Sequence, residues 1–221
     1  MLADLRLYQL ISPALPVGAF TYSQGLEWAI ECGWVSDKES LGNWLGSVLA
    51  HSVATLEVPV LARLVSALEK EDLQAFAGWS RFLIASRETT ELRAEERQRA
   101  QALLRLLPAL DVDVPETLKA AVGQTQLGGM ALAARHWEID CRSLCRGYLW
   151  SWLENAVMAG VKLVPLGQTD GQRLLMALSD QLPTLLDDAL HLDDRAIGSS
   201  TPAMAIASSL HETQYSRLFR S

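Results

Sequence analysis

The sequence predicts an all-α fold, a single-domain compact bundle of about ten helices over residues 1–221 with a flexible C-terminal tail. Three observations predict it. Apolar residues recur with the helical period, and no segment alternates as a strand would. Helix stop and start signals lie close together, so the connections are short. Hydrophobic residues make up 49% of the 221-residue chain against 20% charged, which suits a packed core and not a disordered chain.

The elements follow in order. A short helix covers about Asp4 to Ile11, and Pro13, Pro16 and Gly18 then make a loop. Ser23 is placed to cap the helix QGLEWAIEC, which Gly33 ends through its tolerance of left-handed geometry. Ser36 and Glu39 have the spacing of a capping box for a helix to about Thr55. Pro59 opens a new helix, in whose first turn its missing N–H costs nothing, and that helix runs to about Lys70. Two helices follow, near Asp72 to Ser86 and Thr89 to Leu107. Pro108 and DVDVP form the clearest irregular linker. Short helices lie near Pro115 to Val122 and Leu127 to Arg135, and a long one spans about Asp140 to Val164. Thr169 and Gln172 suggest a second capping box, for a helix to about Gln181. Pro183 begins a short helix, and Thr201-Pro202 starts the last, to about Gln214. The seven tryptophans are expected mostly in the core.

Composition narrows the function. A net charge of −7 argues against nucleic acid as a partner, because phosphates require a basic face. The odd set Cys32, Cys141 and Cys145, with no basic, apolar export signal at MLADLRLYQLIS, fits free thiols in a reducing cytoplasm. The most apolar stretch, Tyr148 to Val164, contains Ser151, Glu154, Asn155 and Lys162. It reads as a core helix, not a membrane span.

Chemistry-bearing motifs are scarce. GxGxxG and GxxxxGK[ST] are absent, so no nucleotide cofactor is expected. Cys141 and Cys145 stand one helical turn apart near His136. They are read as small buried hydrophobes, with a soft-metal site as the alternative. HETQY lacks the second histidine of a zinc-protease helix, and His51 and His191 stand alone. No resident metal and no catalytic residue are expected.

Three stretches instead suggest surfaces. The charged block from Arg87 and Glu88 to Arg99 has i, i+4 spacings at Arg87–Glu91–Glu95–Arg99. It is either a solvated helix face or a docking face for a charged partner. The tail QYSRLFRS sets Tyr215, Leu218 and Phe219 among Arg217 and Arg220, the residue types that interfaces enrich. It either binds a partner or packs back on its own core. In PALPVGAFTYSQGLE, Phe20 and Tyr22 either staple the next helix or present a surface.

LISPALPVGAFTYSQGLEWAIECGWV, RETTELRAEERQR, ENAVMAGVKLVPLGQ and IASSLHETQYSRLFRS together resemble the UreF family of urease accessory proteins over nearly the whole chain. The tail and LPVG…YSQGLE are the most specific parts, and Pro108 to Glu138 carries little signal. The family more often has Gly, an aromatic and Ser where Ala19-Phe20-Thr21 stands here. The resemblance implies an all-helical homodimer without catalysis of its own. It implies a complex with the D-type scaffold (UreD or UreH) and the GTPase UreG, which docks on apo-urease and helps insert nickel delivered through UreE. It implies that Tyr215, Ser216, Arg217, Leu218, Phe219, Arg220 and Ser221 order on the D-type partner, and that Lys162 is tied to control of the GTPase. The competing class is a direct GTPase-activating protein whose Lys162, or an arginine of the charged block, reaches the γ-phosphate.

Lys162 also has a purely structural reading. Ser151, Asn155 and Lys162 fall within about 20° of one line on a helix, so the lysine extends the single polar stripe of a buried helix. It sits in the last turn, where a cation favours the dipole by about 0.3–1 kcal/mol.

Overall fold

In a computed structural model that describes residues 1–221, every regular element is helical. The α segments are α1 Leu2–Ile11, α2 Leu26–Glu31, α3 Lys38–Val48, α4 Val58–Glu69, α5 Leu73–Ser86 and α6 Thr90–Leu106. They continue with α7 Glu116–Val122, α8 Gln126–His136, α9 Cys141–Leu163, α10 Gln168–Ser179, α11 Leu182–His191 and α12 Pro202–His211. A π-helical stretch, Leu49–Glu57, joins α3 to α4 in one 32-residue helix, Lys38–Glu69.

That continuity corrects the expected break before Pro59. Proline offers no N–H, so the Thr55 carbonyl one turn earlier loses its helical donor. The Gly198 N–H fills the gap at 3.0 Å from the Thr55 oxygen. The wider ladder appears where the Val58 N–H reaches back to the Val53 carbonyl. The long helix is apolar enough to cross a membrane, but 78% of its most apolar window is buried inside the protein, so it is a core helix.

Caps explain most boundaries. Asp72, Thr89, Thr125 and Asp140 each accept a backbone N–H at the start of α5, α6, α8 and α9. The box at α3 is Asp37 with Ser40, one residue on from the expected pair, because Asp37 supplies a stronger acceptor than Ser36. The expected Thr169–Gln172 box does not form; α10 starts two residues earlier, from Gly167, without a side-chain cap. Gly33, at φ 81°, ends α2 with the Trp34 N–H on the Ala29 carbonyl and its own N–H on Ile30.

The core is one cluster of 58 buried residues running from Leu7 to Phe219. At its centre lies α4, with nine of its twelve residues buried and packed against α5, α8, α9 and α11. Helix α9 carries α1, α3, α10 and α11 around it, while α12 crosses α2 and α6. Of the tryptophans Trp152 is buried in the core and Trp28, Trp44, Trp79 and Trp137 pack half-buried against it, as expected of most of them, while Trp34 and Trp150 are exposed. Large indoles keep an edge in solvent.

Candidate partner-binding site

The C-terminal segment is not loose. After α12 ends at His211, three residues short of the expected end, the chain turns back along α2 and α6. The Glu27 carboxylate on α2 accepts the Leu218 N–H at 2.6 Å and the Phe219 N–H at 2.9 Å. The Arg220 N–H reaches the Thr21 carbonyl at 2.9 Å. The Ser221 main-chain oxygen receives the Ser23 N–H at 2.6 Å, the Gln24 N–H at 3.0 Å and the Ser23 hydroxyl at 2.7 Å. The Ser221 hydroxyl donates to Glu95 at 3.1 Å, and Arg217 pairs with Glu91 at 2.8 Å. Phe219 and Ser221 are buried.

This corrects the expectation of a flexible tail. Ordering seven residues costs about 1–2 kcal/mol each, and the amide bonds to a buried carboxylate together with Phe219 burial offset that cost. The receiving surface is local geometry. Gln24 and Gly25 are consecutive left-handed residues, φ 53° and 83°, which turns the Ser23 and Gln24 N–H groups toward one oxygen. Gly25 is also required by space, since a Cβ there would lie 2.6 Å from the Ser208 nitrogen of α12. Ser23, expected as a cap, does accept the Glu27 N–H at 3.3 Å.

His211 holds the base of the tail. It is fully buried, with Nδ1 2.7 Å from Glu91 and Nε2 3.3 Å from Glu27. Two of the three carboxylates that bind the tail, Glu27 and Glu91, are thus bridged by one ring.

What the docked tail leaves outside is apolar. Tyr215 is fully exposed and Leu218 is 69% exposed, although its amide is anchored. Phe20, on the 3₁₀ turn Ala19–Thr21, is 56% exposed. Tyr22 is half-buried and its hydroxyl donates to Gln98 on α6 at 2.9 Å. So Phe20 presents a surface, while Tyr22 ties the loop to α6. Burial first and the Glu95 charge second push the Tyr22 phenol upward, against the lowering effect of Arg220.

Arg87 is inside the protein and not on a docking face. It donates to Glu57 at 2.9 Å and to Glu96 at 2.8 Å, with all three side chains buried. Thr125 and the Gln126 N–H complete Glu96 at 2.7 and 3.1 Å, and the Tyr148 hydroxyl closes on Glu57. Burial works against the Arg87 charge, yet Glu57 and Glu96 hold it on. Burial pushes Glu96 up, but Arg87 and Thr125 win and leave it below the ordinary carboxylate range. Of the expected helix pairs, Glu95–Arg99 forms at 2.9 Å; Arg87 precedes α6 and pairs elsewhere. Glu88 is exposed.

Lys162 lies in the last turn of α9, exposed and without an ion partner or hydrogen bond. Its stripe mates Ser151 and Asn155 are half-buried. Cys145 is buried with its thiol toward the Val58 carbonyl, and Cys141 sits one turn back at the start of α9. His136 is exposed at the end of α8. No group of three His, Cys, Asp or Glu side chains is arranged to hold a metal ion.

The sequence reading missed Glu27, Glu91, Glu95 and His211 as the tail's receptors. Their partners lie more than a hundred residues away, and the one local signal was the pair of residues Gln24-Gly25 in a loop already marked for an aromatic surface.

The UreF family model matches residues 35–179 of the chain. Over their whole lengths, similar proteins carry the name urease accessory protein UreF. One from Alcanivorax borkumensis is 56% identical over 99% of this chain and 98% of its own. One from Pseudomonas putida is 56% identical over 100% and 98%. One from Citrobacter koseri is 48% identical over 98% and 97%.

Proposed function

This chain belongs to the UreF family of urease accessory proteins, a chaperone-type family and not one of enzymes, and on that premise we propose that it is an adaptor. It bridges the D-type scaffold (UreD or UreH) and the GTPase UreG in a cytoplasmic complex that docks on apo-urease and assembles its nickel centre. The observation that carries this reading is the docked tail, which fixes its backbone inward and turns Tyr215 and Leu218 outward. An ordered apolar ridge of that kind binds at lower entropic cost than a loose tail. Phe20 stands exposed next to the point where the Arg220 N–H joins the Thr21 carbonyl.

The test is capture of the D-type scaffold by full-length protein carrying Tyr215→Ala and Leu218→Ala. Both side chains are exposed, so the helical circular dichroism and melting curve stay as in the parent while capture falls by about tenfold or more. Unchanged capture sinks the tail's role.

Lys162 supports the link to the GTPase, as a free cation on an exposed helix end. Direct activation of UreG is the second reading. Acceleration of GTP turnover by this protein alone, lost with Lys162→Ala, favours that reading; acceleration only in the full complex favours the adaptor.

Self-association as a homodimer has its own support. A groove of about 680 Å³ between α1, α9 and α11 is lined by Leu7, Tyr8, Ile11, Trp150, Leu182 and Leu186. Leu2, Leu5, Tyr8 and Trp150 stand exposed beside it. Exposed apolar side chains gathered beside such a groove support an interface there.

A further inference from the structure

We propose that the arginine-lined face of α6 is a docking site for an acidic segment of a protein partner. Two open clefts flank Arg97. One, about 510 Å³, lies between α5 and α6 and is lined by Arg81, Arg93 and Arg97 with Ile84, Ala85 and Gln124. The other, about 520 Å³, lies between α6 and the 17–22 loop, with Arg97, Arg105 and the tail's Arg220 in its walls. The chain holds 26 carboxylates and only 19 Lys and Arg, yet neither cleft contains an Asp or a Glu.

These arginines are not spent on internal pairs. Arg81, Arg97, Arg105 and Arg220 are exposed and make no ion pair, whereas buried Arg87 is held by Glu57 and Glu96 and half-buried Arg99 pairs with Glu95. Arg93 gives one N–H to the Arg87 carbonyl at 2.6 Å and keeps its other donors. In the adjoining recess Glu91 and Glu95 are already engaged, by Arg217 with His211 and by Arg99. An acidic protein has therefore kept a run of uncompensated guanidinium groups along α6 and in the two clefts beside it.

The arrangement selects the occupant. Arg93 and Arg105 are separated by about 18 Å along α6, at 1.5 Å per residue. Spread forks over this length suit successive carboxylates of an extended or helical acidic segment, each held bidentately. A long polyanion such as nucleic acid meets the repulsion of a chain at −7, which a short peptide seated in the clefts largely avoids. The site is separate from Tyr215, Leu218 and Lys162, and stands whether or not the tail binds the D-type scaffold.

The test uses the full-length protein and a fluorescein-labelled decapeptide of alternating glutamate and serine, read by anisotropy. A glutamine–serine decapeptide, a deca-thymidine oligonucleotide and inorganic phosphate are the comparisons. The glutamate peptide should bind about tenfold or more tighter than the glutamine peptide, and weaken steeply between about 50 and 300 mM NaCl. Arg97→Glu with Arg105→Glu should lose that binding without moving the melting curve, Arg97→Gln with Arg105→Gln should lose most of it, and Lys70→Glu, elsewhere on the surface, should not. Equal binding of the two peptides, indifference to the arginine variants, tighter binding of the oligonucleotide, or displacement by inorganic phosphate at peptide concentration would each overturn the proposal.

Discussion

Replacing Glu27 by alanine isolates the energetics of the docked tail. The wild-type carboxylate is 9% exposed and accepts two backbone N–H groups, from Leu218 at 2.6 Å and Phe219 at 2.9 Å. A hydrogen bond to a charged acceptor contributes about 1.5–3 kcal/mol net, so losing both removes at least about 3 kcal/mol from docking. At about 1.4 kcal/mol per decade, the docking equilibrium falls roughly 100-fold. The tail peels away before its amides are left buried without acceptors, so the effect stays local. Hydrogen exchange should therefore speed up by about 100-fold at the Leu218 and Phe219 amides, with α4 and α9 amides unchanged. Tail amides that exchange at the parental rate would refute the bond accounting. Core amides that speed up equally would show that Glu27 supports the whole fold and not the tail.

Four further outcomes follow from other sites. Arg87→Met leaves Glu57 and Glu96 buried without their cation, a loss of about 3–5 kcal/mol that thermal unfolding should report as a fall of about 10–15 °C. Because Glu96 is held below its ordinary value, its contribution is fully present above the unfolded-state pKa of about 4.3 and is lost as pH falls through the depressed folded value. Glu96→Gln should accordingly flatten the acid limb of a stability-versus-pH curve while lowering stability at neutral pH. Lys162→Ala should change stability by no more than about 1 kcal/mol, the helix-end term, while urease activation in a reconstituted system is lost. Tyr8→Glu with Trp150→Glu should convert a dimer to a monomer by light scattering, with the helical signal intact.

What was legible in the sequence was whatever is encoded within one turn. Asp72, Thr89 and Asp140 cap helices because the acceptor and the free N–H are neighbours in the chain, and Gly33 ends α2 for an equally local reason. The π stretch was not legible, because its released Thr55 carbonyl is satisfied by Gly198, far along the chain. Arg87 misled for the same reason. Its i, i+4 spacing to Glu91 suggested a solvated helix face, but the helix begins only at Thr90, and the true partners include Glu57 on the long core helix. Tail composition was read correctly as anchor-rich, but composition cannot tell whether the anchors face out or in. Phe219 faces in, while Tyr215 and Leu218 face out, and only the positions of Glu27 and the Ser23–Gln24 amides decide between them.

The docked tail also sets the sign of the Glu27 effect on partner binding. If the scaffold reads the tail as docked, through Tyr215 and Leu218, the binding-competent form is the docked one. Reducing its population then weakens apparent affinity in proportion once the undocked form dominates. If the scaffold instead takes the tail only after it has left Glu27, docking competes with binding, and Glu27→Ala strengthens capture by up to the same factor, about 100-fold. The outward ridge argues for the first case, since Leu218, held outward by its anchored amide, has already lost the backbone freedom that binding would otherwise remove. Weaker capture by Glu27→Ala, together with faster tail exchange, is the expected result; stronger capture would mean that Glu27, Glu91 and His211 form a latch that the partner must open.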